Sequence, residues 1–530
     1  MSVNFHRLKN HILNDPLCDW FDKISEISSV FVPEDYPAFY TDLQVQKEAY
    51  ISNFVDNFRY THSHLFYENL TKEQTHGFLK ENKECILYNC ELYHEPTKLL
   101  VRPTLLFSRD AFQSIFTEVS EEFPPYIAVD VLYKILHISS DCSDLLNQGS
   151  LYYHKCKMAL TSQILAVYHG PLENGYFFGK EYRHKGTTLR KRSTIGKFAL
   201  TEDYLKTVTK ALKWVHKLDR YYDEWLILPK PTVSELYPNL NVKSLRWQTQ
   251  KVLLGEQIKE ITLVWNISFK KRCILHDKGI TEWSDPLLLS QMYAHPINES
   301  QRHLVQDKII KINSQESLSI TPSKIQSEDF KEIIRDQSDS IILDIESVHD
   351  LRETDSYFSE NPDPSETSEQ AKICIIGTIL NHGTYVFKDF TIRCLTLSEE
   401  ETIVKYWVNY LKKRFKDKVI KVYHWGHAEE TYLTYMTETY PHIAFPKFQM
   451  INLLTYFREE PIAIKGCFGY GLKEIVKQLY NLKLIDTTWS EDLTGLDAMN
   501  KILEVSKIAE IRNIPIKRFA EIKKIITYNY

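Results

Sequence analysis

No two of the nine cysteines stand at the Cys-x-x-Cys spacing of a zinc or iron–sulfur site, so that class of centre is excluded and the thiols read as reduced. No apolar run is long enough to cross a bilayer, and the start Met1-Ser2-Val3-Asn4-Phe5 has no apolar signal core. A soluble, intracellular (cytoplasmic) protein is therefore expected. A net charge of −5 excludes a uniformly basic coat, so a nucleic-acid partner would have to meet local basic patches. No internal repeat is visible. What the chain does have is aromatic residues, 32 Tyr and 26 Phe, within a composition 43% hydrophobic and 25% charged, which is that of a folding sequence. At 530 residues it exceeds one ordinary core, and about two to four domains are expected.

The clearest break is the polar stretch from Asn313 to Glu328, rich in Ser, Gln, Thr and Pro, which predicts a linker over 313–329. A second polar stretch, Glu353 to Gln370, lies between two strand-like runs and reads as a long acidic loop inserted within a domain. Over residues 1–200, short runs such as Ile86-Leu87-Tyr88, Leu105-Leu106-Phe107 and Tyr126-Ile127-Ala128-Val129 alternate with helix-like segments, predicting an α/β domain. Residues 201–312 read as a helical connector whose tryptophans (Trp214, Trp225, Trp247, Trp265, Trp283) have core-like spacing.

The most informative step is Asp344-Ile345-Glu346 at the end of Ser340-Ile341-Ile342-Leu343. Carboxylates at i and i+2 of a strand point to one face, and two buried acids side by side call for cations. Downstream, the pattern predicts strands over 373–380 and 384–390, a helix over 397–415, a strand over 419–423, and then His424-Trp425-Gly426-His427-Ala428-Glu429-Glu430 leading into a helix. This order resembles the ribonuclease-H-like, DEDD exonuclease-like domain (the YprB type) over residues 330–530. The resemblance implies metal ligation by Asp344 and Glu346, with Glu429 as the match to the second motif and Tyr528 to the late tyrosine. It also implies two Mg²⁺ or Mn²⁺ ions, one activating a water and one stabilising the leaving oxygen of a phosphodiester in DNA or RNA. Two departures from the family pattern lower the expected activity: Asn452 stands where relatives tend to have Asp, and the acid four residues beyond Tyr528 would fall at position 532, past Tyr530. The segment from Gly466 to Val476 is similar to the glycine-led helix start that precedes that acid.

The first 200 residues resemble the RecB-like PD-(D/E)XK nuclease domain fused ahead of the exonuclease-like domain in the same family. The frame is there without its acids. Thr104 follows Pro103 where an Asp is expected, Asp130 is kept but Leu132 replaces the lysine, Lys157 stands at the usual glutamine, and Ser52 at the usual glutamate. Too few ligands remain for a divalent ion, so this frame is expected to be inactive. Phosphate contacts need only cations, and the basic run from Lys180 through Arg183, Lys185, Arg190, Lys191 and Arg192 is the candidate nucleic-acid contact, with Tyr182 as its one stacking ring. Two functions from different classes follow: a metal-dependent nuclease weakened in its last motif, or a catalytically inactive nucleic-acid-binding protein.

Overall fold

The computed structural model describes residues 3–35, 38–116, 123–170, 172–185, 187–189, 195–293, 301–315, 317–348, 373–381, 385–488 and 495–529. The chain is an α/β multidomain protein of two compact units, Met1–Ile258 and Lys259–Arg352 with Asp363–Tyr530. The acidic insertion expected over 353–370 lies outside the described residues.

The first unit is built on a mixed sheet of β1 (Phe66–Glu68), β2 (Ile86–Tyr88), β3 (Leu105–Ser108), β4 (Tyr126–His137), β5 (Asn174–His184), β6 (Thr187–Leu189) and β7 (Gly196–Ala199), in the order β7-β5-β4-β3-β2-β1 with β6 on β5. Alternation along β4 divides its core. Val129 and Val131 join the cluster closed by Tyr50, Phe54 and Phe58 of helix α1 (Ala38–Thr61). Ala128 and Leu132 join the cluster that includes Cys156, Leu160 and Ile164 of α2 (Leu151–His169) and Trp214 of α3 (Glu202–Tyr221). Asp130 therefore points to the α2 side, following the two-residue period of a strand.

In the second unit, β8 (Ser340–Ser347), β9 (Ile373–Asn381), β10 (Tyr385–Thr391), β11 (Ile420–His424) and β12 (Phe448–Asn452) form a sheet in the order β10-β9-β8-β11-β12. The pairs β8–β9 and β9–β10 are antiparallel, whereas β8–β11 and β11–β12 are parallel. Helix α4 (Glu328–Arg335) precedes the sheet, α5 (Leu397–Phe415) follows β10, and α6 (Ala428–Thr439) follows β11. Next come α7 (Leu453–Glu459), α8 (Leu472–Asn481), α9 (Gly495–Arg512) and α10 (Ala520–Asn529). Both α6 and α9 pack on β8.

The segment expected as one helical connector divides at Ile258/Lys259. Trp214 and Trp247 are buried in the first unit's core, while Ile261, Ile267 and Trp283 pack with Val305, Ile464 and Cys467 in the second. The polar stretch expected as a linker supplies a strand instead, Ile320–Thr321, paired antiparallel with Ala463–Ile464. Serine and glutamine composition marked an exposed segment, but backbone pairing with a distant strand leaves no local periodicity to read. No helix among the described residues is long and apolar enough to cross a membrane.

Candidate functional site

β8 places its residues by the pleat. Ile341, Leu343 and Ile345 are buried on one face, while Ile342, Asp344 and Glu346 alternate with them on the other. The sequence-predicted pair Asp344 and Glu346 thus shares a face and lines a cavity of about 750 Å³ together with Glu429, His424 and Lys473. Apolar side chains, among them Ile342, Leu453 and Phe457, form the rest of its wall. The strand loses register between Glu346 and Ser347, where the Ser347 and Tyr432 hydroxyls hydrogen-bond to tie β8 to α6.

Glu429 lies in the first turn of α6, and its presentation depends on the turn that ends β11. Gly426 has φ +97°, a left-handed conformation that a side chain disfavours. Asn452 holds that turn: its amide donates to the Gly426 carbonyl at 2.7 Å, and its Oδ1 accepts from the amides of Gly426 (3.1 Å) and Leu454 (3.2 Å). The position at which an acid was sought by resemblance is therefore occupied by an amide that fastens two adjoining strand ends and caps α7. A carboxylate could not make the donor contact.

Burial pushes Glu429 up to about 7, and the neighbouring Asp344 and Glu430 carboxylates push the same way. Asp344 is raised by burial too, tempered by a hydrogen bond from the Ile345 amide and by Lys473. The Glu429 Oε2 is buried without a hydrogen-bond partner and stands 3.7 Å from His424 Nδ1. His424 Nε2 is 3.5 Å from Glu430 Oε1, and burial holds its imidazole below the ordinary value, towards the neutral form. A buried carboxylate oxygen without a donor, facing a second carboxylate that repels it, has the chemistry of a cation ligand. By that criterion Asp344 and Glu429 fit a divalent metal, with Glu346 on the same face. As the side chains stand, no three His, Cys, Asp or Glu among the described residues converge closely enough to hold an ion.

No family model, curated protein or solved structure matches this chain. The site is read from its own geometry.

Tyr528 lies in α10, and its side chain is outside the described residues. Lys473, at the second position of α8, was missed by sequence reasoning. The signal was present, since it lies in the glycine-led stretch from Gly466, whose helix start is fastened by Glu474 accepting from the amides of Phe468 (2.8 Å) and Gly469 (3.3 Å).

In the first unit the structure brings together three residues singled out in the sequence. Lys157 donates to both Asp130 carboxylate oxygens at 2.9 Å, and Thr104 donates to Oδ1 through its amide (2.8 Å) and hydroxyl (3.2 Å). Burial alone would raise the Asp130 carboxyl, but Lys157, His154 and these contacts outweigh it and hold the group well below the usual carboxylate range. Leu132 is buried in the core and Ser52 is exposed on α1. Asp130 is thus neutralised by an internal ammonium.

The basic run begins within a strand. Lys180 to His184 belong to β5, with Lys180 Nζ donating to the Tyr133 hydroxyl at 3.3 Å and lying over its ring. Arg183 stands 3.7 Å from Glu181, and Lys185 occupies the turn with φ +48°. Tyr182 is buried, its hydroxyl donating to the Phe177 carbonyl, so it offers no stacking face. Arg190, Lys191 and Arg192 lie outside the described residues.

Proposed function

We propose that the second unit is a ribonuclease-H-like, metal-dependent phosphodiesterase acting on nucleic acid, a DEDD-type exonuclease-like hydrolase. The observation that carries this reading is the partnerless, buried carboxylate oxygen of Glu429, set in one cavity with Asp344 and Glu346. The strand order, an antiparallel β10-β9-β8 followed by parallel β11 and β12, agrees with the order that suggested the family resemblance. Asp344, Glu346 and Glu429 would hold Mg²⁺ or Mn²⁺. Bound there, the ion would lower the pKa of a water and neutralise phosphate charge.

The residues themselves divide the remaining work. Lys473, the cation nearest in effect to Asp344, would meet a phosphate oxygen. The apolar wall of Ile342, Leu453 and Phe457 would exclude bulk water and receive a base or sugar. His424, whose ring nitrogens are buried 3.7 Å from Glu429 and 3.5 Å from Glu430, would offer a further nitrogen at the wall of the cavity. In the first unit, a decayed PD-(D/E)XK domain is the reading supported by the Thr104–Asp130–Lys157 cluster.

The test is thermal unfolding of the full chain with and without Mn²⁺. An ion that binds the folded state alone stabilises it by mass action, so wild type should gain melting temperature and Asp344→Ala should lose most of the gain. Equal metal responses in the two proteins would remove the site. The second reading, a nucleic-acid-binding protein without catalysis, is favoured by the Asn452 amide that holds the Gly426 turn where the family pattern has an acid, and it predicts no metal response.

A further inference from the structure

Helix α3 runs for 20 residues with one face in the first unit's core, where Tyr204, Val208, Ala211, Trp214, Val215 and Leu218 are buried. Its opposite face is exposed and basic. Lys206, Lys210, Lys213, Lys217 and Arg220 are all exposed and recur at steps of four, three, four and three residues. At about 100° per residue that spacing confines them to one stripe roughly 80° wide. Consecutive members lie about 5–6 Å apart at their β-carbons, and Lys210 to Arg220 make a row about 15 Å long.

The acids of the helix itself are engaged. Lys206 stands 3.4 Å from Glu202 and 3.3 Å from Asp203 in the first turn. Asp219, the one acid between Lys206 and Arg220, is held by Arg7 at 3.0 Å and 2.5 Å. Lys210, Lys213, Lys217 and Arg220 form no ion pair among the described residues, and Arg220 lies over the Tyr221 ring at 5.2 Å. The negative end of the helix dipole accounts for cations in the last turn, but not for Lys210 and Lys213 in mid-helix. Like charges at i, i+3 and i+4 cost helix stability. In a chain of net charge −5 the row is not part of a general basic coat.

Evenly spaced cations on a rigid helix suit a partner whose charge is itself evenly spaced. A duplex carries a phosphate every 3.4 Å or so along each strand, and a row of this length runs beside about four of them. The stripe holds no exposed Phe, Tyr or Trp on which an unpaired base would stack. Nor has it an apolar side to enter a bilayer, because the apolar face of α3 is used by the core. We infer that the exposed face of α3, through Lys210, Lys213, Lys217 and Arg220, is a docking surface for the phosphate backbone of double-stranded nucleic acid. Phosphate contacts carry no sequence information, so the docking has no sequence preference. The surface lies wholly in the first unit and needs neither the metal site nor catalysis by the second.

The full chain carrying Asp344→Ala, in EDTA, separates this surface from the proposed metal centre. Its affinity for a short DNA duplex is measured by fluorescence anisotropy across salt, and compared with the same protein carrying Lys210→Gln, Lys213→Gln, Lys217→Gln and Arg220→Gln. A charge-matched control carries Lys72→Gln, Lys80→Gln, Lys83→Gln and Lys98→Gln, exposed positions outside α3. Glutamine is a good helix former, so the α3 variant should melt no lower than its parent. It should bind at least about tenfold more weakly, with a log–log salt slope shallower by about 3 to 4, at roughly 0.9 for each phosphate contact on a duplex. The control should bind like its parent, and two duplexes of unrelated sequence should bind alike. A parent that does not bind the duplex, or an equal loss in the control, would overturn the assignment. Tighter binding of a single strand, of phosphatidylserine vesicles or of poly-glutamate, lost in the α3 variant, would overturn it too by giving the surface to a different partner.

Discussion

Replacing Glu429 by glutamine should change how local stability in the second unit depends on pH. In the metal-free protein the folded-state carboxyl titrates near 7, whereas its ordinary value is 4.5. Between those values the unfolded chain gives up a proton that the folded chain keeps, so stability falls as pH rises and levels off above about 7. Undiluted, a displacement of that size corresponds to roughly 3 kcal/mol. Water at the mouth of the cavity screens the charge, and we expect about 1–2 kcal/mol to survive. Glu429→Gln cannot ionise, so relative to wild type it should be more stable by that amount at pH 8 than at pH 4.5. Because two compact units need not unfold together, the assay is hydrogen-exchange protection in EDTA of the amides of β11 and α6, corrected for intrinsic exchange. Parallel pH profiles for the two proteins would refute the argument that burial and Asp344 destabilise the ionised form. Saturating Mn²⁺ should flatten the wild-type profile and leave that of the variant unchanged.

Lys157→Met should destabilise the first unit by roughly 3–5 kcal/mol by stranding the buried Asp130, and adding Asp130→Asn should recover much of that loss, as read by urea unfolding. The contribution of this pair is complete above the ordinary carboxylate value of 3.8 and is lost as pH falls below it. Asn452→Ala removes three hydrogen bonds around Gly426 and should cost about 2–3 kcal/mol at about 1 kcal/mol each, with exchange protection lost in α7 and at the start of α6.

The second unit's frame was legible because its signals are local. Alternation on Ser340–Glu346 placed Asp344 and Glu346 on one face, and the helix expected over 397–415 appears at Leu397–Phe415. The strand expected over 419–423 appears at Ile420–His424. What sequence could not supply depends on contacts between distant residues. The amide of Asn452 reaches Gly426, Lys473 acts on Asp344, and Lys157 closes on Asp130 across a sheet and a helix. That the basic run from Lys180 begins inside a strand was not legible, because the strand is buried on both faces from Gly175 to Gly179, with Glu181 and Tyr182 buried as well, and so has no two-residue alternation to read. The split at Ile258/Lys259 was invisible because the helices on either side have similar composition and differ only in the core they join.

The central claim is that Asp344 and Glu429 serve one metal-dependent phosphodiesterase centre. Its most direct test is hydrolysis of a 3′-labelled single strand by the full chain in Mn²⁺, with Asp344→Ala and Glu429→Gln assayed in parallel. We predict slow, Mn²⁺-dependent release of the label that falls by about 10²-fold or more in each variant, the usual scale for losing electrostatic positioning at such a centre. Cleavage that persists in Asp344→Ala, or none in wild type at any Mn²⁺ concentration, would contradict it.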